Sequence, residues 1–390
     1  MMTSLGDAEL ALCHQIRQEL HRYPELSGAE SDTAERLQRF LAAHIRPDRV
    51  LTGVGGHGVL ALFDNPHPGP TVLLRADMDA VAVHETSVAS YRSVHEGKAH
   101  MCGHDGHMAT LLALGFRLAR ERPEAGRVGL LFQPAEEDGT GAMAILADER
   151  FQALAPDYVI GWHNLPGTAL GTLLVRAGSF ACASCGMAIT LTGKTSHAAK
   201  PEDGVSPQVA MCRLMERFSA LSTPVENDEA FALATVVYAR LGEPAFGIAP
   251  GDATVMVTLR TAADHRMQAL RQKAEALVQH EAEQASLQWS IRYHDEFAAT
   301  ENHPAVVALM MGAAEEAGLV AETVDRPMRW SEDFGQFTRR FQGALCCLGS
   351  GESCPQLHNP DYDFPDALIE QGSHFMLHAA KRLLSVSMPA

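Results

Sequence analysis

The chain has 390 residues, more than one hydrophobic core usually supports, so two domains are expected. It is 46% hydrophobic and 20% charged, the composition of a soluble globular protein. A net charge of −17 argues against a nucleic-acid surface or an anionic membrane as partner. No apolar run approaches the ~20 residues that span a bilayer, and the N-terminus lacks the basic-then-apolar pattern of a signal peptide. The eight cysteines are scattered, which suits reduced thiols in a cytoplasm better than a disulfide framework.

Residues 9–40 read as helix, interrupted at Pro24 and resuming over 31–44. A short strand is expected at 59–63. Residues 71–75 form a mainly apolar run that leads directly into Asp77 and Asp79. Three further runs of this kind follow: 128–132, leading to Glu136-Glu137; 158–162, ending at His163; and 343–348, followed by a loop with His358. Helices are expected between and after them, at 108–120, 141–148, 304–317 and 366–384. Continuous apolar runs suit strands buried on both faces. Their alternation with helices predicts an α/β fold, a mainly parallel sheet covered by helices. Polar residues recur just past the strand ends, where open α/β sheets bind ligands.

The middle of the chain follows another pattern. Strands are expected at 187–191, 230–241, 253–260 and 287–293, with helices at 206–221 and 264–284, the latter with Asp264 as N-cap. This β-α-β-β-α-β order is the ferredoxin-like arrangement. Residues 182–295 are therefore read as an inserted domain, leaving a discontinuous domain built from 1–181 and 296–390. Cys182-Ala-Ser-Cys185 is a CxxC without a second CxxC, and packing is its simpler reading.

The densest chemistry lies in Met101-Cys102-Gly103-His104-Asp105-Gly106-His107. A thiolate beside an imidazole suits a borderline-soft divalent metal such as Zn²⁺. Taken alone, the stretch reads equally well as a buried cysteine, a loop histidine and an N-capping aspartate. Glu136-Glu137, His163 and His358 supply partners at other strand ends. Of two adjacent carboxylates, one can bind metal while its neighbour handles the proton of a water, as metal-assisted hydrolysis requires. Surface Glu-Glu pairs and structural histidines are common, but several such groups at one sheet edge point together to a site.

The sequence resembles the M20 metallopeptidase group, and within it the aminoacylase and hippurate-hydrolase branch of N-acyl-amino-acid amidohydrolases. The resemblance rests on His21-Arg22-Tyr23-Pro24-Glu25-Leu26-Ser27, Arg75-Ala76-Asp77-Met78-Asp79-Ala80, the Met101 to His107 stretch, Gln133-Pro134-Ala135-Glu136-Glu137, Gly193-Lys194-Thr195-Ser196-His197-Ala198-Ala199, Ser331-Glu332-Asp333-Phe334 and Leu357-His358-Asn359-Pro360. It implies two divalent metal ions per subunit (Zn, Mn, Co or Ni) held by Cys102, His104, Glu137, His163 and His358. It further implies that Glu136 is the general base for a metal-bridging water and that His197 stabilises the oxyanion. Asp77 and Asp79 would orient a ligand histidine, and His107 would support rather than ligate. The inserted domain would act as lid or dimerisation domain in a homodimer or higher homo-oligomer. The implied activity is amide hydrolysis of a small N-acyl amino acid. The alternatives are a dipeptidase or carboxypeptidase of the same fold, a non-catalytic binding relative, and a thiol enzyme using Cys102 or the Cys182/Cys185 pair.

Two departures bear on substrate. Gly247 stands where many members of the branch carry an Asn that meets the substrate, and Lys200-Pro201-Glu202 lacks the His that often follows the proline. Arg260 and Arg329 are candidate partners for a substrate carboxylate, which a guanidinium can pair bidentately.

Overall fold

The computed structural model describes residues 5–223 and 230–386. The chain divides into two compact units, Met1–Phe180 with Thr300–Asp325 and Asp333–Ala390, and Ala181–Ala299 with Arg326–Glu332.

The first unit is organised by an eight-stranded sheet. Across it run Arg49–Val54, Gly58–Asp64, Arg127–Gln133, Thr71–Asp77, Tyr158–Pro166, Gln342–Gly351, Leu173–Val175 and Ala321–Thr323. The central four are mutually parallel. Antiparallel pairings attach the neighbours on each side. Nearly every residue of the central strands is buried, which is why their sequences are continuous apolar runs rather than alternating ones. The helices His104–Arg120 and Ala367–Leu384 pack against each other and against Thr71–Asp77; Asp7–Arg22 and Pro304–Glu316 pack on this pair. Parallel register carries the strand ends to one edge: Asp77 lies opposite Gln133, and His163 opposite Cys347. The α/β class expected from the apolar runs is the one observed. The short strands Leu173–Val175 and Ala321–Thr323 carry too few residues to leave a periodic signal.

The helix after the dense stretch starts at His104, one turn earlier than its apolar pattern suggests. Gly103, at φ +90°, makes the turn; a Cβ there would lie 2.6 Å from Asn164 Oδ1. Asp105 is consequently a helical residue and no N-cap: its carboxylate meets Arg17 and His21. Gly106 has a different reason, because a Cβ there would lie 2.2 Å from the Phe364 ring.

The second unit carries a four-stranded antiparallel sheet, ordered Ala232–Leu241, Asp252–Thr261, Ala183–Thr192, Gln288–Phe297, with helices Gln208–Ser219 and Asp264–Gln284. Its central strands alternate between buried and accessible residues, consistent with a sheet covered on one face. Asp264 is the first residue of its helix, with Ala263 at the N-cap, and its carboxylate accepts from the Ala299 backbone N–H. Residues 326–332, assigned from the sequence to the large domain, pack in this unit. Ala181 bridges Met328, the Cys182 N–H donates to the Trp330 carbonyl, and Arg260 donates to Ser331 Oγ.

Replacing Gly106 by Ala should overpack the seam between helix and Phe364. We expect a loss of about 1–3 kcal/mol, read as a lower urea midpoint at unchanged m-value.

Candidate metal centre

The turn after Arg127–Gln133 is shaped before its carboxylates are considered. Ala135 is left-handed, at φ +53°, and its N–H donates to Glu30 Oε1 at 2.8 Å. The Gly141 N–H closes the loop on the Ala135 carbonyl. The Glu137 N–H donates to Asp79 Oδ2 at 2.9 Å, and Ser27 Oγ donates to the same oxygen at 2.7 Å. Asp79 thus pins the Glu137 backbone from the loop after Thr71–Asp77.

His104 is fully buried; its Nδ1 lies 2.8 Å from the Asp79 carbonyl oxygen and donates to it. That contact commits Nδ1 as a donor and leaves Nε2 as the nitrogen directed into the cluster. Nε2 has no hydrogen-bond partner, and lies 3.5 Å from Asp77 Oδ2 and 3.8 Å from Glu137 Oε1. His163 is arranged in the same way. Its Nδ1 donates to the Asn164 carbonyl at 2.7 Å, and its Nε2 is 3.4 Å from Cys102 Sγ. His358 comes from the loop after Gln342–Gly351. Its residue is left-handed, at φ +64°, and its N–H donates to the Met101 carbonyl, tying this loop to the Cys102 segment. His358 Nε2 lies 3.5 Å from Glu137 Oε1.

The five residues expected to ligate metal are therefore brought together. Cys102, Glu137 and His358 offer ligand atoms within 4.8 Å of one another, as do His104, Glu136 and Glu137. Bond lengths of about 2.0–2.3 Å to N, O and S donors place ligand atoms of one ion at such separations. Two buried atoms without a hydrogen-bond partner, His104 Nε2 and Glu137 Oε1, face this space. The donor set fits divalent metal.

The electrostatics agree. Burial alone would depress His104, but Asp77, Asp79 and Glu137 overcome it and raise the imidazole to about 10. A pocket that holds a proton so strongly has the negative potential that a cation neutralises. Burial, with His107 beside it, holds His163 well below its ordinary value and so in the neutral, ligating form. His107 is engaged at both ring nitrogens, by Asp77 Oδ1 and Asn164 Oδ1, each at 2.5 Å. It orients these partners and has no ring nitrogen to spare.

The structure adds residues whose roles the motifs did not reveal. Asp77 is one of a group with His104, His107 and His163 whose ligand atoms lie within 4.8 Å, so its carboxylate is a candidate donor as well as an orienting group. Asp333, in the Ser331 to Phe334 motif, accepts from Arg75, Gln133 and the Ala142 N–H at 2.7–2.8 Å. Burial outweighs these partners and pushes its carboxyl up to about 6. Arg75 bridges Asp333 and Asp77, both at 2.8 Å, so it carries the strand end into the cluster. Asn164, next to a candidate ligand, donates to Tyr362 Oη at 2.6 Å.

In the second unit, His197 forms a short strand with Ser196, paired to Ile248 and Ala249. The Ala199 N–H donates to its Nδ1 at 3.0 Å, so the ring proton sits on Nε2, on an exposed side chain. Gly247 faces open space: a Cβ there meets nothing within 4 Å. Arg260 donates to Ser331 Oγ at 2.9 Å and the Arg329 carbonyl at 3.2 Å, while the Arg329 guanidinium lies over the Phe231 ring. Burial pushes the Cys182 and Cys185 thiols up to about 11, so neither is a thiolate near neutrality.

The family model described as peptidase family M20/M25/M40 matches residues 73–382. The chain is 31% identical over 374 residues to an N-acetyl-L-cysteine deacetylase of Bacillus subtilis (strain 168), covering 95% of this chain and 87% of that protein. It is 28% identical to a hippurate hydrolase of Campylobacter jejuni, covering 95% and 96%. Among solved structures, a putative aminohydrolase of methicillin-resistant Staphylococcus aureus superposes with a TM-score of 0.86 at 23% identity, over 97% of each chain. A dinuclear metal-binding peptidase of the M20 family from Bacillus subtilis gives 0.82 at 22% identity, over 97% of this chain and 99% of that one.

Two outcomes follow from this geometry. Asp79→Ala removes the acceptor of the Glu137 N–H, and metal affinity should fall about 10–100-fold, measured by competition with a chelating dye. His21 donates to Asp105 and Glu85; burial would lower it, but these carboxylates raise it to about 10. A group raised above its unfolded value of about 6.5 stabilises the fold fully below that value, and the contribution is lost as pH rises through about 10. His21→Gln should therefore cost about 3–5 kcal/mol at pH 6, with the gap to the unsubstituted protein closing toward pH 10 in urea titrations.

Proposed function

The chain belongs to peptidase family M20/M25/M40, and from that premise we propose that it is a two-metal amidohydrolase that cleaves the amide bond of a small N-acyl amino acid. The observation that carries this reading is the meeting of Cys102, His104, Glu137, His163 and His358 in one cluster with Glu136 beside it. The two named relatives, a deacetylase of an N-acetyl amino acid and a hippurate hydrolase, support the substrate class.

The five residues would hold two divalent ions, of Zn, Mn, Co or Ni by ligand type, with Cys102 favouring the softer ones. When bound, such ions supply Lewis acidity toward the carbonyl oxygen and lower the pKa of water. The remaining work falls to the chain. Glu136 is buried, as a proton carrier that must exclude bulk water should be. Its carboxylate takes a proton from the attacking water as the C–O bond forms. It then delivers that proton to the amide nitrogen as the C–N bond breaks. The products are a carboxylate and a free amino acid. His197, with its proton on Nε2, is in the state that donation to an oxyanion needs. Arg260 and Arg329 are the candidate partners of the substrate carboxylate.

We assign the protein to the cytoplasm, on its scattered cysteines, all free in the structure. No helix among the described residues is long and apolar enough to cross a membrane. Self-association through the second unit is supported by its largely accessible edge strand Ala232–Leu241, where Val237 and Tyr238 are exposed.

Glu136→Gln should lower kcat by about 10²–10⁴-fold while the metal content measured by mass spectrometry stays at the unsubstituted value. Near-normal turnover would remove Glu136 from the mechanism. Chelation should abolish hydrolysis across a panel of N-acyl amino acids, and a divalent ion should restore it. Activity confined to dipeptides would reassign the protein to a dipeptidase of the same fold.

A further inference from the structure

His374 and His378 lie one turn apart on the helix Ala367–Leu384, outside the cluster described above. Residues at i and i+4 share a helix face. The rings meet edge to face, with centroids 4.7 Å apart, and the two Nε2 atoms are 3.1 Å apart. Metal–imidazole bonds are about 2.0–2.1 Å long, so nitrogens at this separation subtend about 100° at a shared ion. That angle lies between octahedral and tetrahedral values.

The rings are also oriented from outside. His378 Nδ1 lies 2.9 Å from Glu316 Oε2 on the helix Pro304–Glu316 and donates to it. Glu316 is held below its ordinary value, chiefly by its hydrogen bond from Arg382 at 2.6 Å, and so stays an ionised acceptor. With its proton on Nδ1, His378 directs an Nε2 lone pair at His374. A carboxylate on the far nitrogen of an imidazole is the arrangement that fixes and strengthens metal-binding histidines. His374 is pushed below its ordinary value by burial, then by Arg117 and His378, so it is neutral at physiological pH. Arg117 is itself paired with Glu370, one turn before His374, which offsets its charge.

We propose that His374 and His378 form a second, peripheral metal site that chelates a borderline divalent ion such as Zn²⁺ through their two Nε2 atoms, with Glu316 orienting His378. Binding shifts the His374 proton from Nε2 to Nδ1, so that both imidazoles stay neutral and offer Nε2 lone pairs to the ion, and water completes the coordination. Glu316 thereby couples the ion on the helix Ala367–Leu384 to the helix Pro304–Glu316.

The test is a count of bound zinc on the untagged full chain, by equilibrium dialysis as free zinc is raised through the micromolar range. The unsubstituted protein should bind one equivalent more than either His374→Gln or His378→Gln. Glu316→Ala keeps both ligands and should weaken that extra equivalent about tenfold. Thermal melts without added zinc check that each variant is folded. A failure of the proposed catalytic centre would lower all counts equally and leave the difference of one intact. Equal counts in the unsubstituted protein and both histidine variants, or an extra equivalent whose affinity ignores Glu316, would overturn the site.

Discussion

Carboxylates buried at the end of a parallel strand must be matched by positive charge and donors, and the first unit is built around meeting that demand. Asp77, Asp79, Asp105 and Asp333 are all buried completely. Unmatched, each would cost several kcal/mol or lose its charge. Arg75 joins Asp77 to Asp333, His107 closes on Asp77, and Arg17 with His21 closes on Asp105. These contacts tie the strand ends to the first turn of the helix His104–Arg120. The arrangement of the candidate ligand side chains follows from how those charges are satisfied.

Asp79 is the point at which structure becomes chemistry. Its carbonyl selects the tautomer of His104, and its carboxylate holds the backbone of Glu137. One residue therefore positions two candidate ligands from two different elements. Asp77, Asp79 and Glu137 outweigh the burial of His104 and raise it to about 10, which marks the negative potential that a cation would also neutralise. His163 shows the complementary case, where burial keeps the ring neutral and a backbone carbonyl fixes its tautomer.

The same device recurs elsewhere in the molecule. At His378 the anchor on Nδ1 is the Glu316 carboxylate, and at His197 it is a backbone N–H that reverses the polarity, leaving Nε2 as donor. The difference decides what each ring can do: His104, His163 and His378 keep Nε2 for a ligand, as a metal donor must, whereas His197 carries its proton on Nε2, as an oxyanion donor must. An imidazole's role is set by what touches its other nitrogen.

The fold class, the family and the sheet edge that carries the chemistry were legible in the sequence. Strands buried on both faces must be apolar throughout, and functional groups placed at their ends leave short, recognisable strings such as those around Asp77, His104 and Glu136. The β-α-β-β-α-β order of the second unit was readable for a similar reason, since half-exposed strands alternate. What the chain order could not convey was partnership over long separations. Asp333 reaches Arg75 across 258 positions and Arg17 reaches Asp363 across 346. Residues 326–332 join the second unit because Cys182 and Arg260 bond to them. The Asp105 carboxylate turned from cap to ion-pair partner for the same reason. Periodicity and motif spacing report local geometry and burial. The tautomer of a histidine and the partner of a buried charge are set by tertiary packing: helical spacing alone brings His374 beside His378, but Glu316, which orients the pair, comes from another helix.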